Sequence, residues 1–534
     1  MKSLAFRRRG WFGGLALVAV LALAVAIPAS ANRGHGKGGG GCGDCYQTSQ
    51  PSFVNLEVAG TVVPLINSGE EAFGTVFEGI PDGIGAKPGP GKKNKKGYVD
   101  LYVTHEQSHV PFGGFADHQD SSVTRVRVDV KSMKISDMDV PLSPSLGFIR
   151  FCSAFMAGPE HGFPHYTFLV NEESNDPLPV PAGAPYGPDP SLAPFRQAGF
   201  AAYLDTTTGK VGVLASHGRH NHENNVIVPG GWKKKIVGLS GDDTFTTPST
   251  PERPNLSQLY LTLTRNWKQF QKDESTLWAF RVTGTGGSSI DPADPFNGAN
   301  DYLDMAPGDD WTGEFIRVPE DVARGTTAQA PQDALEDWSN ANNVFQFVRV
   351  EDIDYDKKNP RVVYFADTGN TRLIDPGTGR LYRAPSGTPG TTDTLGRMFK
   401  LVLNRKDPTV VDSFSILVDA AAIGMRNPDN VGTSRKSLMV QEDTSNAKVW
   451  RYSFASGTWT HVATANQPTA ETSGIVDVSR WFGKGWWALD VQSHTNQMEF
   501  GTFVWPGPGG PPVGSTYVSR RENGQLLLMQ IPGS

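Results

Sequence analysis

The chain has 534 residues, a formal net charge of −6 at pH 7 and a hydrophobic share of 38%. These values exclude a membrane protein with many spans and a strongly basic nucleic-acid-binding protein. The 60 glycines and 39 prolines are spread along the chain, which predicts many turns and short strands. The 28 phenylalanines, 12 tryptophans and 13 tyrosines supply apolar surface for a sizeable core.

Residues 1–31 have the three parts of a secretory signal peptide: a basic start up to Arg9, an apolar run from Leu15 to Ile27, and small residues at Ala29-Ser30-Ala31. The run is shorter than the roughly 20 residues of a transmembrane helix, so we expect no stable membrane span. We expect this leader to be cleaved and the protein to be secreted or periplasmic. The Arg7-Arg8-Arg9 run resembles a twin-arginine export signal, although the residues after it depart from that pattern.

Cleavage would remove four positive charges and no negative charge, so the mature chain is expected to repel polyanions such as nucleic acids. Residues 32–50 are predicted to form a flexible, Gly-rich leader. Within it, Cys42-Gly43-Asp44-Cys45 favours a local disulfide, because a zinc site would need two further ligands nearby. Cys152 is then an unpaired thiol, either simply buried or held by a metal.

The globular part is predicted to be one domain, residues 51–534. Residues 83–97 carry five lysines among glycines and prolines and are expected to form a solvated surface loop. Farther on, Val126, Val128 and Val130 alternate with polar residues, as in a strand with one wet face.

Several hairpins are predicted from short β-branched and aromatic runs that end at turn residues. Residues 200–204 and 211–213 form one candidate, and residues 361–365, 372–374 and 381–383 form another. Further strands are expected at 399–403, 438–441, 449–453, 487–490 and 525–531. Helical periodicity is clearest over residues 332–340, after Pro331.

Roughly 450 residues of hairpins without interleaved helices are typical of a β-propeller, since a single sandwich closes near 100 residues. The predicted fold class is therefore all-β, a β-propeller with long loop insertions. The irregular inserts near 176–194 and 291–331 would be loops or a cap on one end. We expect a monomer.

Polar clusters rich in carboxylates occur where predicted strands end. They are Thr104-His105-Glu106, Asn171-Glu172-Glu173, the segment 217–223, Arg349-Val350-Glu351-Asp352, the segment 427–430, Gln441-Glu442-Asp443 and the segment 471–474. In a propeller these acids would converge on an axial funnel, where they could stay ionised together only with cations between them. Oxygen ligands in that number suit Ca²⁺, and Cys152 would suit a transition metal.

In this order the clusters resemble the motifs of the PhoX-type alkaline phosphatases, over about residues 97–494. The resemblance implies a six-bladed propeller whose funnel holds calcium and iron. It also implies twin-arginine export and hydrolysis of phosphate monoesters, with a small phosphate ester as the partner. Cys152 matches the family's iron-ligating cysteine, and Glu172 or Glu173 matches an acid of its Cys-Glu-Glu segment.

Glu223 matches the acid of the family's Gly-Arg-Phe-x-His-Glu motif, and Glu351 with Arg349 matches its Arg-Pro-Glu motif. The predicted metal ligands are Glu106, Cys152, Glu172, Glu173, Glu223, Glu351, Asp429, Glu442 and Glu471. Arg349 and Glu351 are the predicted catalytic residues, and Arg349, Arg219 and His222 the predicted substrate-binding residues. Residues 158–166 depart from the family's Thr-Pro-Trp-Gly-Thr-Trp segment, which predicts an altered pocket wall.

Two other functions stay open at this point: a non-catalytic, calcium-binding propeller that acts as a binding or surface protein, and a calcium-dependent lactonase or esterase. His161 with His165, and the three histidines 217, 220 and 222, have spacings compatible with zinc but lack a metalloprotease helix. Residues 291–310 could bind calcium but lack EF-hand spacing. The sequence has no phosphate-binding glycine loop, no Gly-x-Ser-x-Gly elbow and no heptad repeat.

Overall fold

The computed structural model describes residues 42–90, 97–109, 120–244, 256–286, 302–374, 381–383, 392–504 and 516–534. The predicted signal peptide, residues 1–31, lies outside the described residues. Cys42 and Cys45 form a disulfide, as the sequence predicts. The predicted flexible leader, residues 32–50, ends earlier than expected, because the backbone of Tyr46 pairs with Ile135 and its ring packs on a buried cluster.

The described chain is built almost entirely of antiparallel strands. It starts with β1 (Val54–Leu56), β2 (Thr61–Asn67), β3 (Glu71–Ala72) and β4 (Thr75–Val76). Blade one contains β5 (Pro81–Pro88), β6 (Tyr98–His105), β7 (Ser122–Asp129) and β8 (Lys134–Leu142). The next segment contains β9 (Phe151–Ala157), β10 (Thr167–Glu172), β11 (Pro177–Pro179), β12 (Phe195–Gln197), β13 (Ala201–Asp205) and β14 (Val211–Val213). Blade two is formed by β9, β10, β13 and β14, while β11 and β12 pair separately within the 176–194 insert region.

Blades three and four share one nine-stranded sheet. Blade three contains β15 (His222–Ile227), β16 (Ile236–Asp242), β17 (Leu259–Thr264) and β18 (Thr276–Gly284), followed by β19 (Trp311–Arg317). Next along the chain come β20 (Val350–Tyr355), β21 (Val362–Asp367), β22 (Asn370–Ile374), β23 (Leu381–Arg383), β24 (Thr392–Thr394), β25 (Arg397–Leu403) and β26 (Val410–Asp419). Blade four consists of β20, β21, β25 and β26, and β19 joins its outer edge to that of blade three.

Both chain termini contribute to the last two blades. Blade five contains β27 (Pro428–Thr433), β28 (Ser437–Glu442), β29 (Lys448–Ser453) and β30 (Thr458–Ala465), with β1 added at its edge. Blade six contains β31 (Ala470–Asp477), β32 (Trp486–Val504), β33 (Thr516–Gln530) and the N-terminal strand β2. Pairing of Thr61 with Gln530 closes the ring and covers strand edges that would otherwise be exposed.

The helices are short. They are α1 (Trp267–Phe270), α2 (Glu320–Ala323), α3 (Pro331–Ala341), α4 (Ala420–Ile423) and α5 (Ser479–Phe482), with 3₁₀ turns at Pro144–Leu146, Pro159–His161, Ala215–His217 and Tyr302–Asp304. The helix predicted over residues 332–340 is therefore confirmed as α3. Among the described residues, no helix is long and apolar enough to cross a membrane.

The six inner strands, β5, β9, β15, β20, β27 and β31, contact one another in this order, and β31 contacts β5 again. The fold is thus an all-β, six-bladed propeller, as predicted. We call the end of the axis at which the inner strands begin the front end. The turns that follow the inner strands, and those between the third and fourth strands of each blade, form the opposite rear face.

A buried apolar cluster lies between each pair of neighbouring blades. In the largest, between blades three and four, the rings of Phe365, Phe399 and Phe414 stack, and Phe347 meets Phe399 edge-on. Truncation of one such buried ring to alanine typically costs about 3–5 kcal/mol. These interfaces hold neighbouring blades together around the axis.

Three expectations on loops and pairing differ from the structure. Within the predicted surface loop of residues 83–97, residues 83–88 belong instead to the inner strand β5, because Gly83 and Gly85 let the backbone approach blade two closely. The 291–331 insert contains the pairing strand β19 and helix α2, and its start lies outside the described residues. The 372–374 and 381–383 hairpin is confirmed, but β21 pairs with β25 and not with this hairpin.

Candidate functional site

The second residue of each inner strand is an acid or a thiol. These residues are Asp82, Cys152, Glu223, Glu351, Asp429 and Glu471. Because the inner strands run in the same direction around the axis, all six residues lie at the front end. The propeller therefore collects onto one axis groups that are almost 400 residues apart in sequence.

A β-bulge follows this position in the inner strands. Between Pro81 and Ile84, for example, three residue steps oppose two on β6, and the same one-residue excess occurs in β9, β15, β20 and β27. In β31 the extra residue comes slightly later, between Ser473 and Ile475. Bulges re-aim side chains and often flank functional sites, and here they turn the second residues toward the axis.

A second set of acids follows the second strand of four blades. Glu106, Glu173, Asp243 and Asp443 come directly after the last residues of β6, β10, β16 and β28. Those last residues oppose the first residues of the inner strands, as His105 opposes Pro81, so this set also lies at the front end.

Seven of these side chains form three overlapping groups in which ligand atoms lie within 4.8 Å of one another. The groups are Asp82 with Glu106 and Cys152, Cys152 with Glu173 and Glu223, and Glu223 with Glu351 and Asp429. Cys152 and Glu223 each belong to two groups and so connect the three. This arrangement could hold several cations side by side.

The electrostatics of these groups fit bound cations. Burial, followed by the negative charges of neighbouring acids, raises the pKa of Glu173, Glu223 and Asp429 well above the usual range. Burial raises the pKa of Asp82 to about 6, partly offset by hydrogen bonds such as that from Cys152. Among the described residues, one buried oxygen of Asp82 and one of Asp429 have no hydrogen-bond partner. Cations would both compensate the charges and satisfy these oxygens.

Arg349 lies at the edge of the third group. Its Nε and Nη2 donate to the two carboxylate oxygens of Asp243, at 2.7 and 2.6 Å, and Nη2 lies 2.9 Å from Glu351. On the other side, Nη1 lies 3.7 Å from Asp443. These acids raise the pKa of Arg349 against the opposing effect of burial, so the guanidinium stays charged.

Four predicted site residues make structural contacts away from the groups: Glu172, Arg219, Glu442 and His222. Glu172 forms a fully buried ion pair with Arg196, at 2.7 Å. Arg219 donates to both oxygens of Asp189, at 2.7 and 2.9 Å, and stacks on Phe200 beneath the 176–194 insert.

Glu442 accepts hydrogen bonds from the backbone of Arg426 and Lys448 and from the Trp450 indole. His222 is buried, between Ser240 and the carbonyl of Gly218. Glu471 has the equivalent position on β31 but is outside the three groups.

The zinc alternatives gain no support in the described part of the chain, where no metal group contains a histidine. His161 bonds to the Tyr355 hydroxyl at 2.8 Å, and His165 pairs with Asp205 at 2.9 Å. Residues 158–166 follow β9 at the rear, where Glu160, His161 and Tyr166 line the axial cavity and not the metal groups.

Sequence reasoning missed Asp82 and Asp243. Asp82 lies in Pro81-Asp82-Gly83-Ile84-Gly85, where the predicted surface loop of residues 83–97 begins, yet Pro428-Asp429-Asn430-Val431-Gly432 has the same Pro-Asp-x-(Ile/Val)-Gly pattern. This internal repeat could have identified β5 as an inner strand. Similarly, Asp242-Asp243 repeats the acid pair of Glu172-Glu173 and Glu442-Asp443.

Behind the metal groups, the axis contains a cavity of about 500 Å³. The third residues of four inner strands, Ser153, Asn224, Asp352 and Asn430, line it on the side of the groups. Asn430 donates to Ser153 at 2.7 Å and accepts from Ser473 at 3.0 Å, and Asn224 donates to Asp352. This polar layer lies between the ligand-bearing residues and the cavity.

No family model matches the chain, and no curated protein matches it. Solved structures similar to it include a protein of unknown function from Dyadobacter fermentans, at 9% identity and a TM-score of 0.40, covering 87% of this chain and 98% of that one. Hydrazine synthase from Kuenenia stuttgartiensis is similar at 10% identity and a TM-score of 0.30, over 79% of this chain and 96% of that one. A puromycin hydrolase variant is similar at 10% identity and a TM-score of 0.23, over 78% and 59% of the two chains. At this level the likenesses carry no argument about function.

Proposed function

We propose that the protein is an exported, metal-dependent phosphatase that hydrolyses phosphate monoesters, with calcium and iron as its metals. The observation that carries the proposal is the set of three linked ligand groups beside Arg349 at the front end. The resemblance of the cluster order to PhoX-type alkaline phosphatases supports the choice of substrate and metals.

Seven residues would hold the cations: Asp82, Glu106, Cys152, Glu173, Glu223, Glu351 and Asp429. Carboxylate oxygens suit Ca²⁺, while the Cys152 thiolate suits a transition metal such as iron. When bound, such cations neutralise phosphate oxygens and lower the pKa of coordinated water.

Arg349 is the residue for phosphate recognition. Its planar guanidinium can grip two phosphate oxygens at once, which a lysine cannot reproduce. Asp243 fixes the orientation of the guanidinium through two hydrogen bonds, and Glu351 connects it to the third ligand group. Arg349 would therefore supply a positive charge for the phosphate directly next to the proposed ligands.

The test is metal analysis of the purified protein combined with hydrolysis of p-nitrophenyl phosphate before and after chelation. We expect several metal ions per chain, phosphate release that chelation abolishes, and loss of both metal and activity in Glu223→Gln. The matched control is Glu160→Gln, because Glu160 is exposed at the rear.

Three outcomes would contradict the phosphatase. Metal binding without phosphate release would favour the non-catalytic calcium-binding propeller. Chelator-sensitive hydrolysis of a lactone or aryl ester, without phosphate release, would favour the lactonase or esterase. Full activity in Glu223→Gln would show that the proposed metal groups are not needed for the reaction.

A further inference from the structure

The rear face carries far more positive than negative charge. Its described turns contain fifteen exposed basic residues: Lys131, Lys210, Lys233, Lys234, Lys235, Arg265, Lys268, Lys272, Lys358, Arg405, Lys406, Arg435, Lys436, Arg480 and Lys484. The exposed acids in the same turns are three: Glu160, Glu274 and Asp407. This excess occurs in a chain whose net charge is −6.

Contacts between blades show that these turns share one surface. The Trp232 indole of blade three donates to the carbonyl of Asn404 in the turn of blade four, at 3.0 Å. On the other side, Trp267 of blade three packs edge-on against His165 of blade two, with 5.7 Å between ring centres. The rear turns of blades two, three and four, which carry ten of the fifteen basic residues, are therefore neighbours.

None of the fifteen basic residues forms an ion pair with another described residue. Basic side chains elsewhere do form ion pairs. Arg125 on blade one, for example, contacts Asp137 and Asp139. Lys235 lies near enough to Asp407 to lower the pKa of that carboxyl, against the opposing effect of burial. Because the described turns carry fifteen exposed basic residues against three exposed acids, the rear face still has a positive potential that the net charge of the chain conceals.

We propose that the rear face is a docking surface for a membrane that contains anionic phospholipids. All six blades contribute basic residues, with six of the fifteen from blade three, so the charge is spread over the face as a planar negative surface would require. A linear polyanion, such as a nucleic acid, would contact only those basic residues that lie along one line across the face. Eleven of the fifteen residues are lysines, whose compact charges suit diffuse attraction more than two-point recognition.

Aromatic side chains on the same face fit this partner. Trp481 and Phe482 are partly exposed next to Arg480, in the turn that follows the inner strand of blade six. Aromatic rings with this exposure are favourable at the level of lipid headgroups. Docking on this face would leave the front end, with its metal groups, directed away from the membrane. The docking proposal does not depend on the proposed phosphatase activity.

The test is co-sedimentation of the full mature chain with lipid vesicles. We expect binding to vesicles of phosphatidylcholine with phosphatidylglycerol at 50 mM NaCl, release at 500 mM NaCl, and no binding to phosphatidylcholine alone. Absence of binding to the anionic vesicles at low salt would overturn the proposal.

Two variants of blade five provide a matched comparison. Arg435→Glu with Lys436→Glu changes the rear turn, while Arg426→Glu with Lys448→Glu makes the same change in charge at the front end. Each basic residue at a membrane surface raises the partition coefficient about fivefold. We therefore expect the partition coefficient of the rear variant to fall at least tenfold and that of the front variant to stay at the wild-type value. Equal losses in both variants would contradict the rear face as the docking surface. Binding to double-stranded DNA but not to vesicles would overturn the membrane proposal and identify a nucleic acid as the partner of the rear face.

Discussion

The thiol of Cys152 donates a hydrogen bond to Asp82, with 3.3 Å between Sγ and Oδ2, across the boundary between blades one and two. Burial and the surrounding acids raise the pKa of Cys152 well above its usual range. Since Cys42 and Cys45 form a disulfide, Cys152 is the one thiol left in the chain.

We expect one thiol per chain to react with iodoacetamide in urea. In the folded protein the same thiol should react at least 100-fold more slowly, because Cys152 is buried and the thiolate is disfavoured. Cys152→Ser should abolish the labelled site. Rapid labelling of the native protein would show that the axis is open to reagents at this position.

The buried pair of Arg196 and Glu172 can be tested with a double-mutant cycle. Arg196→Met alone should reduce the free energy of unfolding by about 3–5 kcal/mol, because it leaves a buried carboxylate without its partner. Adding Glu172→Leu should recover most of that loss in urea titrations. Metal content should not fall in the double variant; if it did, Glu172 would be a ligand as the sequence suggested.

Gly83 allows β5 to approach β9. A Cβ at this position would lie 2.3 Å from the backbone nitrogen of Ala154, which is two residues after Cys152 on β9. Gly83→Ala should therefore reduce the free energy of unfolding by about 1–3 kcal/mol or more, measured by urea denaturation. The matched control is Gly187→Ala, since a Cβ there meets no atom within 4 Å. Equal effects of the two substitutions would argue against close contact of blades one and two.

His161 should make the protein sensitive to acid. Burial, together with the positive charge of Lys357, lowers the pKa of His161 to about 3. The unfolded chain therefore takes up a proton near pH 6.5 that the folded protein does not accept, so stability falls as the pH falls from 6.5 toward 3. Between pH 7 and pH 5, His161→Phe should lose about 2 kcal/mol less of its unfolding free energy than the wild type.

The control for this prediction is Tyr355→Phe. It removes the hydrogen-bond partner of His161 but keeps the imidazole, so the variant should retain the pH dependence of the wild type. If His161→Phe and the wild type lost stability in parallel, another group would be responsible for the acid sensitivity.

Arg349→Lys tests phosphate recognition. We expect at least a 100-fold decrease in kcat/KM for p-nitrophenyl phosphate, because lysine keeps the charge but loses the two-point grip. Metal content should stay at the wild-type level, since the guanidinium is not a ligand. Arg435→Lys, at the exposed rear, is the matched control. A parallel loss of metal would assign Arg349 a role in maintaining the ligand groups.

Much of the fold could be predicted from local patterns. Short β-branched runs closed by turn residues indicated the strands, and their number indicated a propeller. Helix α3 was recognisable because Pro331 starts a helical pattern. The inner strand β5 was not recognised, because its glycines are typical of loops unless the neighbouring blade is known to lie against them.

The sequence by itself determined the all-β class, the order of the acid clusters and their positions at strand ends. Only the tertiary structure decided which acids meet. Glu172 and Glu173 are adjacent, yet Glu173 joins the axial groups while Glu172 pairs with Arg196, because successive side chains near a strand end point to opposite sides. The net charge of −6 likewise could not show that positive charge is concentrated on the rear face, since a sum over the chain contains no positions. Charges act through distance, and distances between distant parts of the chain are set by the fold.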